Sequence, residues 1–155
     1  MRTIYLLFAL LLGAAPVFAQ QPNVVMQPPP PAVAPFYKAN VLLVNTSDSA
    51  RAALRTIAGI LQERGFAIEK IDYDLSSIIT KPRAYTKSGS HSMHILAITC
   101  KTGLRLTGQW RGTFGTFAVE ERAAITNNAS KQAFAEIEAV GKAYPGGALR
   151  YDYQP

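Results

Sequence analysis

Apolar and polar residues recur along this chain with two different periods, and each change of period marks a new element. Asn40-Val41-Leu42-Leu43-Val44-Asn45 is a short, β-branched apolar run ending in Thr46-Ser47-Asp48-Ser49, which predicts a strand followed by helix-capping residues. From Ala50 to Arg64 the apolar positions Ala50, Leu54, Ile57, Ala58 and Leu61 fall at helical spacing, with Arg51, Arg55, Gln62 and Glu63 turned outward. A helix with one buried face is predicted there, and Gly65 supplies its stop.

Phe66 to Tyr73 predicts a strand whose alternation slips once, as at a bulge. Ser77 to Lys81 continues in strand-like composition up to Pro82, which cannot donate to a ladder and so predicts an edge position or a bend. Lys87-Ser88-Gly89-Ser90 reads as a turn. Met93 to Cys100 is apolar on both parities, with Leu96, Ile98 and Cys100 on one face and Met93, Ile95 and Ala97 on the other, the pattern of a central strand. After the turn Lys101-Thr102-Gly103, residues Leu104 to Arg111 alternate cleanly: Leu104, Leu106 and Trp110 point inward, while Arg105, Thr107, Gln109 and Arg111 point away from the core. The Gly112 to Phe117 stretch reads as a bent strand end or loop. Ser130 is predicted to cap a second helix with a stripe of Phe134, Ile137, Val140, Gly141 and Tyr144, ended by Pro145-Gly146-Gly147.

The order strand, helix, three or four strands, helix predicts an α+β fold of two layers: an antiparallel sheet of about four or five strands with two helices on one face. Burial of the two helix stripes, at ~25 cal/mol per Å² of apolar surface, is the main stabilising term expected.

The first residues follow neither period. Met1 and Arg2 lead into the apolar run Ile4 to Leu12, and Val17-Phe18-Ala19 places small residues at the positions a signal peptidase reads. The run is shorter than the ~20 residues of a spanning helix, and no Lys or Arg follows until Lys38. Residues 1–19 are therefore predicted to be a signal peptide cut after Ala19, giving an exported, periplasmic or secreted protein without a transmembrane segment. Residues 20–35 hold Pro22, the run Pro28-Pro29-Pro30-Pro31 and Pro35 and no charge, which predicts an extended spacer outside the fold. The other reading of this run is a ligand for an aromatic-lined groove. Residues 36–155 form the expected single domain.

Charge and cysteine content change this picture little. The formal net charge is +6, a mildly basic balance that favours acidic partners without selecting one. Cys100 is the single cysteine, so no internal disulfide forms, and its apolar run predicts a buried, inert thiol.

No chemical motif is complete. His91 and His94, three apart on a strand, point to opposite faces and do not converge on a metal. Asp72 and Asp74 lack the glycine and distant Glu of a calcium loop and read as a turn-forming pair. No serine lies in a G-x-S-x-G elbow, and Gly112-Thr113-Phe114-Gly115-Thr116-Phe117 lacks the G-K-[ST] of a phosphate cradle. No catalytic residue, metal or cofactor is therefore predicted, and nothing in the sequence argues for an enzyme. One constellation is basic. If Lys81, Arg83, Tyr85 and Lys87 share one parity of their strand, and Arg105 and Arg111 one parity of theirs, the helix-free side of the sheet is cationic. Lys81, Arg83, Tyr85, Arg105 and Arg111 are then candidate ligands for phosphates or acidic sugars, with Tyr85 as a stacking surface. The competing reading is a face that only solvates the domain.

Leu61-Gln62-Glu63-Arg64-Gly65-Phe66-Ala67-Ile68, followed by Ile71-Asp72 and Ser77-Ile78-Ile79-Thr80, resembles the small helix-grip modules of bacterial envelope proteins such as the outer-membrane assembly lipoprotein C. The likeness spans residues 40 to 145 as an order of elements, but the chain has no lipidation Cys near the expected cut. It implies an interaction module rather than an enzyme and assigns no individual residue a role. The leading expectation is thus an accessory domain whose partner is another envelope protein. The alternative is binding of an anionic lipid or polymer on the basic sheet face.

Overall fold

The computed structural model describes residues 30–114 and 117–155. In chain order these form β1 (Val41–Asn45), α1 (Ala50–Glu63), β2 (Ile68–Asp72), β3 (Ser77–Thr80), β4 (Arg83–Ala84) and β5 (His91–Cys100). They continue with β6 (Gly103–Phe114), β7 (Phe117–Arg122), α2 (Asn128–Lys142) and β8 (Ala148–Asp152). The expected signal peptide and most of the expected spacer lie outside the described residues.

Local chemistry sets the ends of α1. The Ser49 side-chain oxygen accepts a hydrogen bond from the Ala52 amide at the first turn. At the other end Gly65 has φ +79°, the Phe66 amide donates to the Leu61 carbonyl (2.8 Å) and the Gly65 amide to that of Gln62 (2.9 Å). This Schellman arrangement turns the chain so that buried Phe66 leads into β2.

Among the described residues the sheet has eight strands in the order β2-β3-β5-β6-β1-β8, with β4 also on β5 and β7 also on β6. Every ladder is antiparallel. The β5–β6 hairpin is its spine, paired from His91↔Gly112 to Cys100↔Gly103. One edge of β6 is shared, with β1 pairing near Leu104 and Leu106 and β7 pairing from Gln109 outward. Met93, Ile95 and Ala97 of β5 and Leu104, Leu106 and Trp110 of β6 form one buried cluster with Ile57 and Leu61 of α1 and Phe134, Ile137 and Val140 of α2. Both helices therefore pack on the same face, as the alternation predicts.

The α+β class and the two helices match the expectation, while eight strands exceed the four or five expected. The additional ones are β4, of two residues, and β7 and β8, which mix apolar and polar positions and pair with β6 and β1, as β4 does with β5. The second helix begins earlier than expected, with Asn127 as its cap, whose side chain accepts from the Ser130 amide. Ser130 is instead buried: its hydroxyl accepts from the Ala124 amide and donates to the Arg122 carbonyl, fastening the end of β7 to the helix. Cys100 is exposed rather than buried, because alternation carries it past the apolar run to the hairpin end, where Sγ lies 3.7 Å from Thr102 Oγ1. Ala32, within the expected spacer, exchanges two backbone hydrogen bonds with Tyr151 of β8. No helix among the described residues is long and apolar enough to cross a membrane.

Candidate binding face

The face opposite the helices follows from register. One row across it reads Arg150, Leu43, Arg105, Ile98, Ser77 from β8 to β3, and the neighbouring row contains Thr107, Leu96 and Ile79. Leu43, Ile79, Leu96 and Ile98 are half-buried, since strands flank them but no helix among the described residues covers them. The centre of this face is apolar and its surround is charged.

Two ion pairs compensate part of the surrounding charge. Arg111 donates to Glu120 on β7 at 2.7 Å, and Lys70 lies 2.9 Å from Asp72 on β2. The Arg111 guanidinium holds the Glu120 carboxyl below its usual range, and Glu120 raises the Arg111 pKa in return. Asp72 is likewise lowered, chiefly because its Oδ1 accepts from the Leu75 amide (2.9 Å), with Lys70 next. The same oxygen accepts from the Asp74 amide (3.1 Å), so Asp72 caps a tight turn, as expected of that pair.

The Arg105 end differs. Arg105 is half-buried, its cross-strand neighbours are Leu43 and Ile98, and among the described residues no carboxylate pairs with it. Arg122, paired with Gln109 on the same face, donates to the main-chain oxygens of Gln154 (2.9 Å) and Pro155 (3.1 Å). Gln154 is itself clamped by Asn40, which is only 6% exposed: Asn40 Nδ2 donates to the Gln154 carbonyl (2.7 Å) and Oδ1 accepts from its amide (2.8 Å). Arg105 and Arg122 line one cavity of about 410 Å³ with His94, Thr107 and Gln109 above Leu96 and Ile79. A second hollow of about 310 Å³ adjoins it beyond His94 and Gln109, lined there by Glu69, Arg111 and Glu120.

The candidate residues read from the sequence are divided between two faces. Arg105 and Arg111 lie on the helix-free face, and Lys81 is exposed at the end of β3. Arg83 and Tyr85 do not join them: Arg83 pairs with core-facing Met93, its guanidinium carbon lies 4.0 Å from the Phe66 ring centroid, and it donates to Glu136 of α2. The Tyr85 hydroxyl donates to the Ala129 carbonyl of α2 at 3.1 Å, and burial raises its pKa. The cause is the Lys81-Pro82 break. Thr80 faces the core, where its hydroxyl accepts from the Ile95 amide, and Arg83 three residues later faces the core again, so the parity has slipped by one. The shared-parity cationic strand is thereby corrected.

His91 and His94 fall on opposite faces, as expected, with His91 5.6 Å centroid to centroid from the Trp110 ring and His94 opposite Gln109. Among the described residues no group of three or more His, Cys, Asp or Glu comes together as a metal centre would require. Arg122, His94, Gln109 and Asn40 were not legible as site residues. Arg122 alone had a local signal, its two-residue spacing from Glu120, but that meets the outward parity of β6 only through the β6–β7 ladder.

Among the described residues these features make an α+β fold with both helices on one face of the antiparallel sheet and none on the other. No protein-family model matches the chain, and a search of curated proteins finds no match.

Proposed function

We propose that this chain is an exported, non-enzymatic interaction or accessory domain of the cell envelope that meets its partner through the helix-free sheet face. The observation that carries this reading is the apolar strip Leu43, Leu96, Ile98 and Ile79, half-buried on the side away from both helices and bounded by charges. Strand β5 is apolar on both faces, and a core on one side explains only half of that pattern. The export leader and the likeness to helix-grip envelope modules belong to the same proposal.

An anionic polymer laid along the face is supported less well. Such a ligand needs a continuous cationic track. Here Glu120 and Asp72 interrupt it, and Arg83 and Tyr85 are committed to α2.

The test is crosslinking of the exported fraction with wild-type protein and with Leu96→Asp and Ile98→Asp. A discrete crosslinked partner that disappears in variants whose far-ultraviolet circular dichroism is unchanged supports the proposal. A wild-type protein that stays an uncrosslinked monomer, or a partner retained by both variants, overturns it.

A further inference from the structure

We propose that the Arg105–Arg122 end of this face binds a small amphiphilic anion, an acidic head carried on a short apolar tail. The inference rests on the reading of the helix-free face as the binding surface and names the chemistry that surface accepts.

Arg105 and Arg111 lie on the same strand and face, six residues apart in register, yet among the described residues only Arg111 has a carboxylate opposite it, Glu120 at 2.7 Å. Arg105 stands between Leu43 and Ile98. A half-desolvated guanidinium without a counter-charge is costly, and a ligand anion supplies the missing partner. The planar fork of arginine matches a carboxylate or a phosphate with two parallel hydrogen bonds.

The second cation is set in place by the fold. Arg122 is oriented by the main-chain oxygens of Gln154 and Pro155, and the buried Asn40 holds Gln154 by one hydrogen bond to its carbonyl and one from its amide. Less side-chain freedom then remains to be lost on binding. Among the described residues no Asp or Glu lines this cavity, whereas Glu69 and Glu120 line the adjoining one, so an anion is favoured at the Arg105 end and opposed at the other. Thr107 and Gln109 offer hydrogen bonds, and Leu96 and Ile79 offer an apolar surface for a tail. The volume of about 410 Å³ falls within the roughly 300–1,000 Å³ of small-molecule sites.

The experiment is a calorimetric titration of the purified full chain, below micelle-forming concentrations, with laurate, dodecyl phosphate, acetate, inorganic phosphate and dodecyltrimethylammonium. Saturable binding of laurate or dodecyl phosphate is expected, with the stronger of the two identifying the head group and with much weaker binding of acetate, inorganic phosphate and the cationic amphiphile. Arg105→Gln is expected to weaken binding about tenfold or more, and Arg105→Lys to restore part of it by returning the charge without the fork. Equal binding of dodecyltrimethylammonium, head groups alone binding as tightly as the amphiphiles, or a folded Arg105→Gln protein with unchanged affinity would each overturn the site. If no amphiphile binds while the crosslinked partner still depends on Leu96, this inference fails and the proposed function stands.

Discussion

Asn40 and Gln154 lie 114 residues apart and hold each other by two hydrogen bonds, one from the Asn40 amide group to the Gln154 carbonyl and one from the Gln154 amide to Asn40 Oδ1. This clasp ties the residue before β1 to the segment after β8, and it sets the carbonyl to which Arg122 donates. Asn40→Ala leaves two main-chain groups without these partners and is expected to cost about 1–3 kcal/mol. Denaturant unfolding measures this directly, and a loss below ~0.5 kcal/mol contradicts the clasp.

Arg83 packs between Phe66 and α2 and does not join the helix-free face. Its guanidinium covers the Phe66 ring and meets Glu136, with both charged side chains about 30% exposed, at 29% and 30%. Arg83→Ala is expected to lower stability by about 1–2 kcal/mol, discounted for that exposure, and to leave amphiphile binding unchanged. Arg105→Gln is expected to do the reverse, so the pair of variants separates the two roles in one set of unfolding and titration measurements.

Two glycines should respond to alanine with opposite sign. Gly103 has φ +139°, and a Cβ there would lie 2.1 Å from the Val44 carbonyl oxygen and 2.8 Å from the Thr46 amide nitrogen, atoms of the backbone that cannot swing aside. Gly103→Ala is expected to cost more than ~2 kcal/mol or to prevent folding. Gly59, inside α1 with nothing within 4 Å of its added Cβ, is expected to gain about 0.5–1 kcal/mol as Gly59→Ala, read from the shift in the unfolding midpoint.

Alkaline stability should depend on Tyr151. Burial, then its 2.6 Å hydrogen bond to Glu138, raises its pKa to about 12, above the ~10 of an unfolded tyrosine. Below pH ~10 both states hold the phenol proton and the stabilisation is complete. Between pH ~10 and ~12 the unfolded chain releases that proton first, so stability falls as pH rises. Tyr144 and Tyr85 are raised as well, and their contributions decline in the same direction. In Tyr151→Phe the slope of stability against pH above ~10 should be shallower, and an unchanged slope would contradict the assignment.

Cys100 is exposed at the end of β5. Thiol reagents are expected to label it in the native protein about as fast as in the unfolded chain, and Cys100→Ser should alter stability by less than ~0.5 kcal/mol. Labelling that waits for denaturant would restore the buried thiol read from the apolar run.

Several features were legible in the sequence because their causes are local. The stripe of Leu54, Ile57 and Leu61, the stop at Gly65, the two apolar faces of Met93 to Cys100 and the alternation from Leu104 to Arg111 depend on the 3.6 and 2.0 periods of the backbone. These were enough to establish an α+β class, two helices on one face and an outward Arg105 and Arg111. The strands β4, β7 and β8 were not legible, since a segment of mixed apolar and polar residues without a sustained alternation becomes a strand only when a neighbour offers its free edge.

By itself the sequence determined which residues are apolar at which period, and hence the core and the direction of each side chain within an unbroken element. Only the tertiary structure decided which elements share a face: Lys81-Pro82 shifts the parity so that Arg83 and Tyr85 turn to α2, and the β6–β7 ladder brings Arg122 beside Gln109. The physical reason is that alternation counts residues along one strand, whereas register is set by hydrogen bonds between strands, and one irregular residue reverses every side chain beyond it.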